Sequence, residues 1–225
     1  MVIDLGRLYR GRFREAERES RAELWRVLCT DFFQNYIRPT DRVLDVGAGY
    51  CEFINNIHCG EKIVVDLNED TARWAATGVR VIQSASTDLS ALHEGSIDVA
   101  FVSNFFEHLP SKADFLATLA EIRRVLVPGG KLLILQPNIR FLHGEYWDFI
   151  DHHLPLTDRS LVEALEFVGL QPMEVRPRFL PYTTKGRLPR AAWLVRLYLR
   201  VPLAHRLLGK QAWVVAIKPE TLVEL

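Results

Sequence analysis

A glycine turn between two apolar strands constrains the fold of this 225-residue chain more than any other feature. Residues 43–52 predict a buried strand, a turn at Gly47 and Gly49, and the start of a helix. A second apolar strand follows and ends at Asp66. This order is typical of doubly wound α/β folds, which bind a nucleoside beside the turn.

The charges around the turn indicate which nucleoside binds there. A dinucleotide site usually has a third glycine three residues after Gly49, but Glu52 occupies that position. A carboxylate at this place, like Asp45 nearby, repels a diphosphate and tolerates a cation. Asp66 would accept hydrogen bonds from both ribose hydroxyls and would repel a 2′-phosphate. We therefore expect S-adenosylmethionine (SAM), a phosphate-free sulfonium compound, and NADP is the least favoured ligand.

Four motifs together resemble those of the class I SAM-dependent methyltransferases, over about residues 40–170. They are the segments 43–49, 65–66, 96–101 and 126–134. The resemblance implies an α/β fold with a doubly wound, mostly parallel, seven-stranded Rossmann-like sheet and an antiparallel edge hairpin. The chain departs from the family at Cys51, where a third glycine is usual, and at 85–86, where an acidic residue is usual.

The same resemblance assigns the cofactor-binding residues, which all follow the carboxyl ends of predicted strands. They are Asp45, Gly47, Gly49, Asp66, Leu67, Asp88 and Asn104. Asp45 and the two glycines would hold the methionine end of SAM. Asp66 would bind the ribose, and Asp88 the adenine.

The acceptor side is expected after the fourth and fifth strands, because ligands lie beyond the carboxyl ends of parallel strands. Methylation of a hydroxyl uses a base with a pKa near neutrality, and histidine supplies one when a carboxylate fixes its tautomer. The predicted catalytic residues are Glu107, His108, His152 and His153, and the predicted substrate-binding residues are Tyr50, Asn138, Tyr146, Trp147 and Asp151.

We expect His152 or His153 to pair with Asp148 or Asp151, and Phe106 to pack in the core. A purely structural role for each histidine stays open. Some quinone methyltransferases hold a divalent metal in the segment after the fourth strand. Because Asn104 replaces a carboxylate of that pattern, no metal is expected here.

The whole chain, residues 1–225, is expected to form a single methyltransferase domain. Residues 1–38 would contain an N-terminal lid helix, and residues 181–210 would be an insertion before the last strand. Residues 188–202 predict a basic amphipathic helix that is broken at Pro202. The alternatives left open for 188–208 are contact with an acidic membrane, contact with a lipid-linked acceptor, a lid, and a homodimer interface.

Composition argues against several classes of protein. Lys and Arg total 28, as do Asp and Glu, so the overall charge gives no reason to expect a nucleic-acid partner. The three cysteines have no CxxC spacing, which indicates reduced thiols and no zinc site. Neither an export signal nor an apolar run of about 20 residues is visible. We therefore expect a cytoplasmic protein, with a membrane-peripheral position left open.

Residues 104–109 and 151–157 resemble bacterial methyltransferases that modify sugars during surface polysaccharide assembly. This resemblance implies an O-methyltransferase that acts on a hydroxyl of a small-molecule or glycan acceptor. One alternative is methylation of a quinone or another lipophilic small molecule at a membrane surface. Another is a non-catalytic SAM-binding partner subunit, against which the intact Gly47, Gly49 and Asp66 argue.

Overall fold

The computed structural model describes residues 15–182 and 191–220, with side chains from residue 21 onward. Several predicted features lie outside these residues. They are the arginines at 7, 10, 12 and 14, the N-terminal part of the predicted lid, and the start of the amphipathic helix predicted from residue 188. Within the described part of the chain, no helix has both the length and the hydrophobicity required to span a membrane.

The centre of the structure is a seven-stranded sheet with the order β3-β2-β1-β4-β5-β7-β6. Strands β1 to β5 run parallel, and β7 is antiparallel to both of its neighbours. The strands are β1 (Arg42–Val46), β2 (Glu61–Asp66), β3 (Val79–Gln83), β4 (Ile97–Ser103), β5 (Leu126–Pro137), β6 (Gln171–Arg176) and β7 (Gln211–Ile217). The predicted fold class, including the antiparallel edge hairpin, is confirmed.

Eight α-helices are described, and they alternate with the strands through most of the chain. They are α1 (Glu15–Asp31), α2 (Glu52–Asn56), α3 (Thr71–Trp74), α4 (Lys112–Val125), α5 (Ile139–Leu142), α6 (Asp158–Phe167), α7 (Ala192–Arg200) and α8 (Pro202–Leu208). As predicted, Ser111 caps α4, because its Oγ accepts a hydrogen bond from the Asp114 amide at 3.1 Å.

Three local features differ from a regular arrangement of buried strands and helices. Strand β3 has no fully buried residue because it lies at the sheet edge. Gly129 and Gly130 are part of β5, which begins at Leu126. The helix predicted within 1–38 ends at Asp31, and the 3-10 turn Phe33–Tyr36 follows it.

The amphipathic insertion contains two helices instead of one. Helix α7 ends at Arg200, as the position of Pro202 predicts, and α8 then begins at this same proline. Proline is well tolerated at the first position of a helix, where its missing N–H would have no intrahelical partner. Pro202 therefore separates two helices, and the second one was not predicted.

The sheet is covered on both faces by separate apolar clusters. One cluster contains an aromatic group around Trp213 of β7, whose indole is fully buried. The ring centroids of Phe32 and Phe33 lie 5.2 and 5.3 Å from that of Trp213. The two adjacent rings at the start of the 3-10 turn thus both pack inward, and this packing attaches the N-terminal helix to the sheet.

We expect Trp213→Ala to lower the free energy of unfolding by about 3–5 kcal/mol, because it empties the centre of this aromatic cluster. The matched control is Trp193→Ala, since the Trp193 side chain is 64% exposed. The control should change stability by less than about 0.5 kcal/mol. Urea unfolding of both variants measures the difference, and equal losses would contradict the assignment of Trp213 to the core.

Candidate functional site

The candidate site lies at the carboxyl ends of the parallel strands. Val46 of β1 is opposite Val65 of β2 and Val102 of β4, and Val102 is opposite Ile134 of β5. The residues that follow these positions therefore emerge at the same edge of the sheet. This is the edge at which open α/β sheets bind their ligands.

The turn after β1 brings the backbone against the segment after β4. Gly47 has a φ of +70°, and a Cβ atom built there would lie 2.2 Å from Cδ2 of Phe105. Only glycine fits this contact, since any side chain would overlap the ring. Phe105 was not predicted as a site residue. Its position next to the turn could not be inferred from sequence spacing.

Cys51, where the family usually has glycine, adopts a left-handed conformation with a φ of +57°. Residues with a Cβ atom seldom adopt this conformation, so the backbone here has the shape that a third glycine would give. Burial, followed by the charges of Asp45 and Asp66, raises the pKa of the Cys51 thiol to about 12. The thiol is therefore protonated and unreactive at neutral pH.

Three carboxylates lie around the glycine turn. Asp66 accepts hydrogen bonds from the Gly49 amide and the Asn68 amide, both at 2.8 Å, which fixes the orientation of its carboxylate. Burial, and then the charge of Asp66, raises the pKa of Asp45 well above its ordinary value. Burial also raises the pKa of Glu52, although Arg21 of α1 opposes this through an ion pair of 2.7 Å.

The structure places the other predicted cofactor residues in different environments. Leu67 is 59% exposed directly after Asp66. Asn104 has a φ of +48° and donates a hydrogen bond to Oγ of Ser103 at 2.9 Å. Asp88 is exposed, and its Oδ1 accepts a hydrogen bond from the Ser90 amide at 3.0 Å. The adenine contact of Asp88 stays a prediction.

The residues predicted to face the acceptor include part of the 3-10 turn Phe106–His108, which follows β4. Phe106 is fully buried in a core cluster, as expected. The Glu107 carboxylate is buried and accepts a hydrogen bond from Nε2 of Gln136 at 3.0 Å. Burial raises the pKa of Glu107, and the neighbouring His108 offsets this only in part.

Nδ1 of His108 lies 3.1 Å from two oxygens of Asp151, the carboxylate Oδ2 and the backbone carbonyl, and it donates a hydrogen bond to the carbonyl. Burial alone would lower the pKa of His108, but the hydrogen bond to Asp151 and the charges of Glu107 and Asp151 outweigh it, so the pKa is raised. This contact joins residues 43 positions apart and was not predicted, while the pairing of His152 or His153 with Asp148 or Asp151 stays a prediction.

His152 and His153 lie on opposite sides of the loop. His152 is buried, with Nδ1 2.8 Å from the Tyr146 carbonyl oxygen and its ring 5.0 Å from that of His108. The His153 side chain is exposed, and its backbone amide donates to the Glu107 carbonyl oxygen at 2.7 Å. The structure thus brings His152 to the site and leaves the ring of His153 in solvent.

Glu107, His108 and His152 each offer a ligand atom, and these atoms lie within 4.8 Å of one another. Nδ1 of each histidine is already engaged by a backbone carbonyl, that of Asp151 for His108 and that of Tyr146 for His152, and the Asp151 carboxylate also lies beside His108. Such contacts are typical of histidines that bind a metal through Nε2. The chemistry of this group therefore fits a divalent cation, although the sequence predicted no metal.

The predicted substrate-binding residues differ in their burial. Tyr146 is fully buried and donates its hydroxyl hydrogen to the Leu154 carbonyl, whereas Trp147 is 55% exposed. Asn138 is buried, and its Nδ2 donates to Asp158 at 2.8 Å and to the Pro177 carbonyl at 3.0 Å. Because Asn138 uses these hydrogen bonds to hold other parts of the chain, it has a structural role. Tyr50 packs edge-on against Trp74, with the two ring centroids 5.1 Å apart.

Gln136 was missed by the sequence analysis. It is 2% exposed at the end of β5, and its Oε1 has no hydrogen-bond partner among the described residues. A polar residue in an otherwise apolar strand end was the available signal. A buried amide oxygen without a partner is costly unless a ligand supplies a donor.

Comparison with known proteins agrees with this geometry. Residues 44–134 match the family described as "Methyltransferase domain". The part of the chain from 44 to 134 is therefore similar to a methyltransferase domain. The match and the solved structures below support SAM as its cofactor.

One relative is a demethylmenaquinone methyltransferase from Symbiobacterium thermophilum, 30% identical over 162 residues. The aligned region covers 65% of this chain and 64% of that relative, so the chain spans a little under two-thirds of the relative's length.

Two solved structures share the fold. A SAM-dependent methyltransferase from Archaeoglobus fulgidus has a TM-score of 0.67 at 20% identity, covering 96% of this chain and all of its own. The N-methyltransferase NodS from Bradyrhizobium japonicum, in complex with S-adenosyl-L-homocysteine, has a TM-score of 0.59 at 13% identity, covering 94% of this chain and 92% of its own. At these identities the likeness shows a shared fold.

We expect Gly47→Ala to destabilise the domain and to weaken SAM binding, because its Cβ would displace the Phe105 ring. The control is Gly78→Ala, which also has a positive φ but has no atom within 4 Å of the new Cβ. In urea unfolding, Gly47→Ala should lower the free energy of unfolding by about 1–3 kcal/mol more than Gly78→Ala does, which is the usual cost of overpacking. Equal losses in the two variants would mean that the contact with Phe105 is not restrictive.

Proposed function

We propose that this chain is a SAM-dependent O-methyltransferase that methylates a hydroxyl of a sugar or glycan precursor. The observation that carries the proposal is the His108–Asp151 pair, 3.1 Å apart and partly buried at the carboxyl edge of the sheet. A histidine oriented by a carboxylate is a suitable base for a hydroxyl group. Its turn is joined to the cofactor turn by the contact between Gly47 and Phe105.

In the proposed reaction, the acceptor oxygen attacks the methyl carbon of SAM and the carbon–sulfur bond breaks. The electron pair of that bond stays on sulfur, so the sulfonium becomes a neutral thioether. The hydroxyl proton passes to Nε2 of His108, and Asp151 stabilises the imidazolium that forms. Alignment of oxygen and methyl carbon at near-attack distance supplies much of the rate acceleration.

The carboxylates around the glycine turn support a cationic cofactor. Burial already raises the pKa of Asp45 and Glu52, which means that their charges are poorly stabilised without a partner. The sulfonium and ammonium groups of SAM would supply positive charge near them. A pyrophosphate would add further repulsion.

The polarity of the acceptor side supports a hydroxylated acceptor. The buried Oε1 of Gln136 is an acceptor for a substrate hydroxyl, and the Glu107 carboxylate lies beside it. Sites built to hydrogen-bond a hydroxyl select strongly against analogues that lack it, because the buried polar groups are then unpaired. A sugar offers several such hydroxyls.

A second candidate is methylation of a quinone or another lipophilic small molecule. It is favoured by the similarity to the demethylmenaquinone methyltransferase. Incubation with methyl-labelled SAM and fractionated cell extract separates the two candidates. Label in a glycan precursor supports the first, label in a quinone fraction supports the second, and label in no product supports a non-catalytic SAM-binding subunit.

The N-terminal helix completes the proposed site as a lid within a single domain. Helix α1 reaches the cofactor region through the ion pair between Arg21 and Glu52. Arg21 also lies over the Tyr50 ring, 5.8 Å from its centroid. The lid would therefore cover the methionine end of SAM and help exclude water from the reacting atoms.

Asp66→Ala should weaken SAM binding about tenfold or more, since charge-assisted hydrogen bonds to the ribose contribute about 1.5–3 kcal/mol. The control is Glu69→Ala, an exposed carboxylate in the same loop. Titration calorimetry with SAM measures both affinities. Unchanged affinity in Asp66→Ala would overturn the ribose assignment.

His108→Gln should lower kcat by about 100-fold or more, the usual contribution of a general base. Because the pKa of His108 is raised above 6.5, the rate should rise with pH through that higher value as the imidazole loses its proton. Asp151→Asn removes the charge that raises the pKa, so the rising limb should shift to lower pH. The control is His153→Gln, whose ring is exposed.

The same assays test the metal-binding alternative for Glu107, His108 and His152. If His108 acts as the base, treatment with EDTA leaves the rate unchanged. Loss of activity in EDTA that Mg²⁺ or Mn²⁺ restores would contradict the base assignment and would give these residues to a metal ion. If the pH profile of the rate does not shift in Asp151→Asn, this result would also contradict the assignment of His108 as the base.

A further inference from the structure

We propose that the outer face of α7 and α8 binds an anionic lipid surface and thereby holds the chain beside a lipid-held acceptor. The lipid contact stands on this face alone, whereas the identity of the acceptor rests on the proposed function. We call this face the basic apolar patch. It consists of Trp193, Leu197, Val201, Leu203, Leu207 and Leu208, with Arg200 and Arg206 among them.

The patch is unusually apolar for a surface in water. Trp193, Leu203 and Leu207 are 64%, 63% and 66% exposed, and they continue from one helix to the next. Contiguous exposed apolar side chains of this kind mark a surface that contacts another molecule or a membrane. A single exposed leucine would need no such explanation.

The opposite face of the two helices is fixed to the rest of the structure. Tyr198 donates a hydrogen bond to the Phe179 carbonyl, and Nε2 of the buried His205 donates to the Tyr198 carbonyl at 2.9 Å. Arg196 forms an ion pair with Asp31 of α1 at 2.8 Å. The patch is therefore the remaining outer face of an anchored element.

The stretch of sequence that contains the patch carries charge of one sign. Residues 176–219 contain ten Lys and Arg residues and no Asp or Glu. Arg200 and Arg206 are exposed, and neither forms an ion pair with a described acidic residue. Apolar side chains flanked by arginines match an anionic bilayer, whose headgroups attract the charges while the hydrocarbon takes up the apolar groups.

A second copy of the chain is a poorer occupant. Two-fold pairing of the patch would bring Arg200 and Arg206 towards the same residues of the other copy, with no acid in the patch to neutralise them. Like charges at an interface oppose association. Anionic lipid headgroups supply the missing negative charge without this repulsion.

The insertion joins the sheet at the edge that carries the site. Gln211, the first residue of β7, is opposite Pro137 at the carboxyl end of β5. The Phe179 amide donates to the Gln211 carbonyl at 2.7 Å, and Lys210 pairs with Glu145 at 2.6 Å. Docking through the patch would therefore keep the acceptor side near the lipid surface, as a lipid-linked acceptor requires.

Vesicle sedimentation of the full chain tests the proposal. The chain should sediment with vesicles of phosphatidylcholine that contain about 30% phosphatidylglycerol, and much less of it should sediment with vesicles of pure phosphatidylcholine. Leu203→Glu combined with Leu207→Glu should weaken this binding at least tenfold, as should Arg200→Gln combined with Arg206→Gln. Raising the salt concentration should weaken it further.

The matched control combines Phe167→Glu with Met173→Glu, since both side chains are exposed on other elements, by 75% and 60%. It should bind vesicles like the unaltered chain. The proposal would be overturned if the variant with Leu203→Glu and Leu207→Glu sedimented with the vesicles as much as the unaltered chain does. It would also be overturned if the unaltered chain showed no preference for anionic vesicles. A dimer in sedimentation velocity that these two glutamates dissociate would also overturn it, and would assign the patch to a second copy.

This test needs neither cofactor nor acceptor, so its outcome is independent of the proposed transfer reaction. A cooperative urea unfolding transition of each variant, followed by circular dichroism, shows that the fold is retained. Lipid binding without methyl transfer would leave the patch assigned and the proposed function wrong. Methyl transfer without lipid binding would support the proposed function and overturn the assignment of the patch.

Discussion

The close approach of Gly47 to Phe105 is the constraint on which the site depends. It brings the glycine turn after β1 against the segment after β4, so that the residues predicted to bind the cofactor and those predicted to face the acceptor lie at one edge of the sheet. The absence of a side chain at Gly47 sets this distance. Packing on one face, through the aromatic cluster around Trp213, then holds α1 and its Arg21 beside the same turn.

The carboxylates at the cofactor turn have an electrostatic consequence. Asp45, Glu52 and Asp66 lie close enough that charge and burial together raise the pKa of Asp45. Only Glu52 has a cationic partner in Arg21 among the described residues. A cationic ligand would relieve this repulsion, so ligand binding and the stability of the folded domain are linked.

The sequence predicted the fold around the glycine turn better than the contacts that follow β4. Strand order and the positions of Gly47 and Asp66 follow from a local motif, because strand, turn and helix are consecutive there. The contact of His108 with Asp151 is a tertiary contact between residues 43 positions apart, which adjacency in the sequence does not indicate. Gln136 and Phe105 were missed for the same reason. Helix α8 was missed because Pro202 marks a helix end as well as a helix start.

The loop that carries Asp151 is attached to the 3-10 turn through main-chain atoms. The amides of His153 and Leu154 both donate to the carbonyl oxygen of Glu107, at 2.7 and 3.2 Å. Because these bonds do not involve side chains, the identity of the residue at 153 is free to vary while the loop keeps its place. A substitution at 153 would therefore alter the outer surface of this loop and leave its anchorage to the 3-10 turn intact.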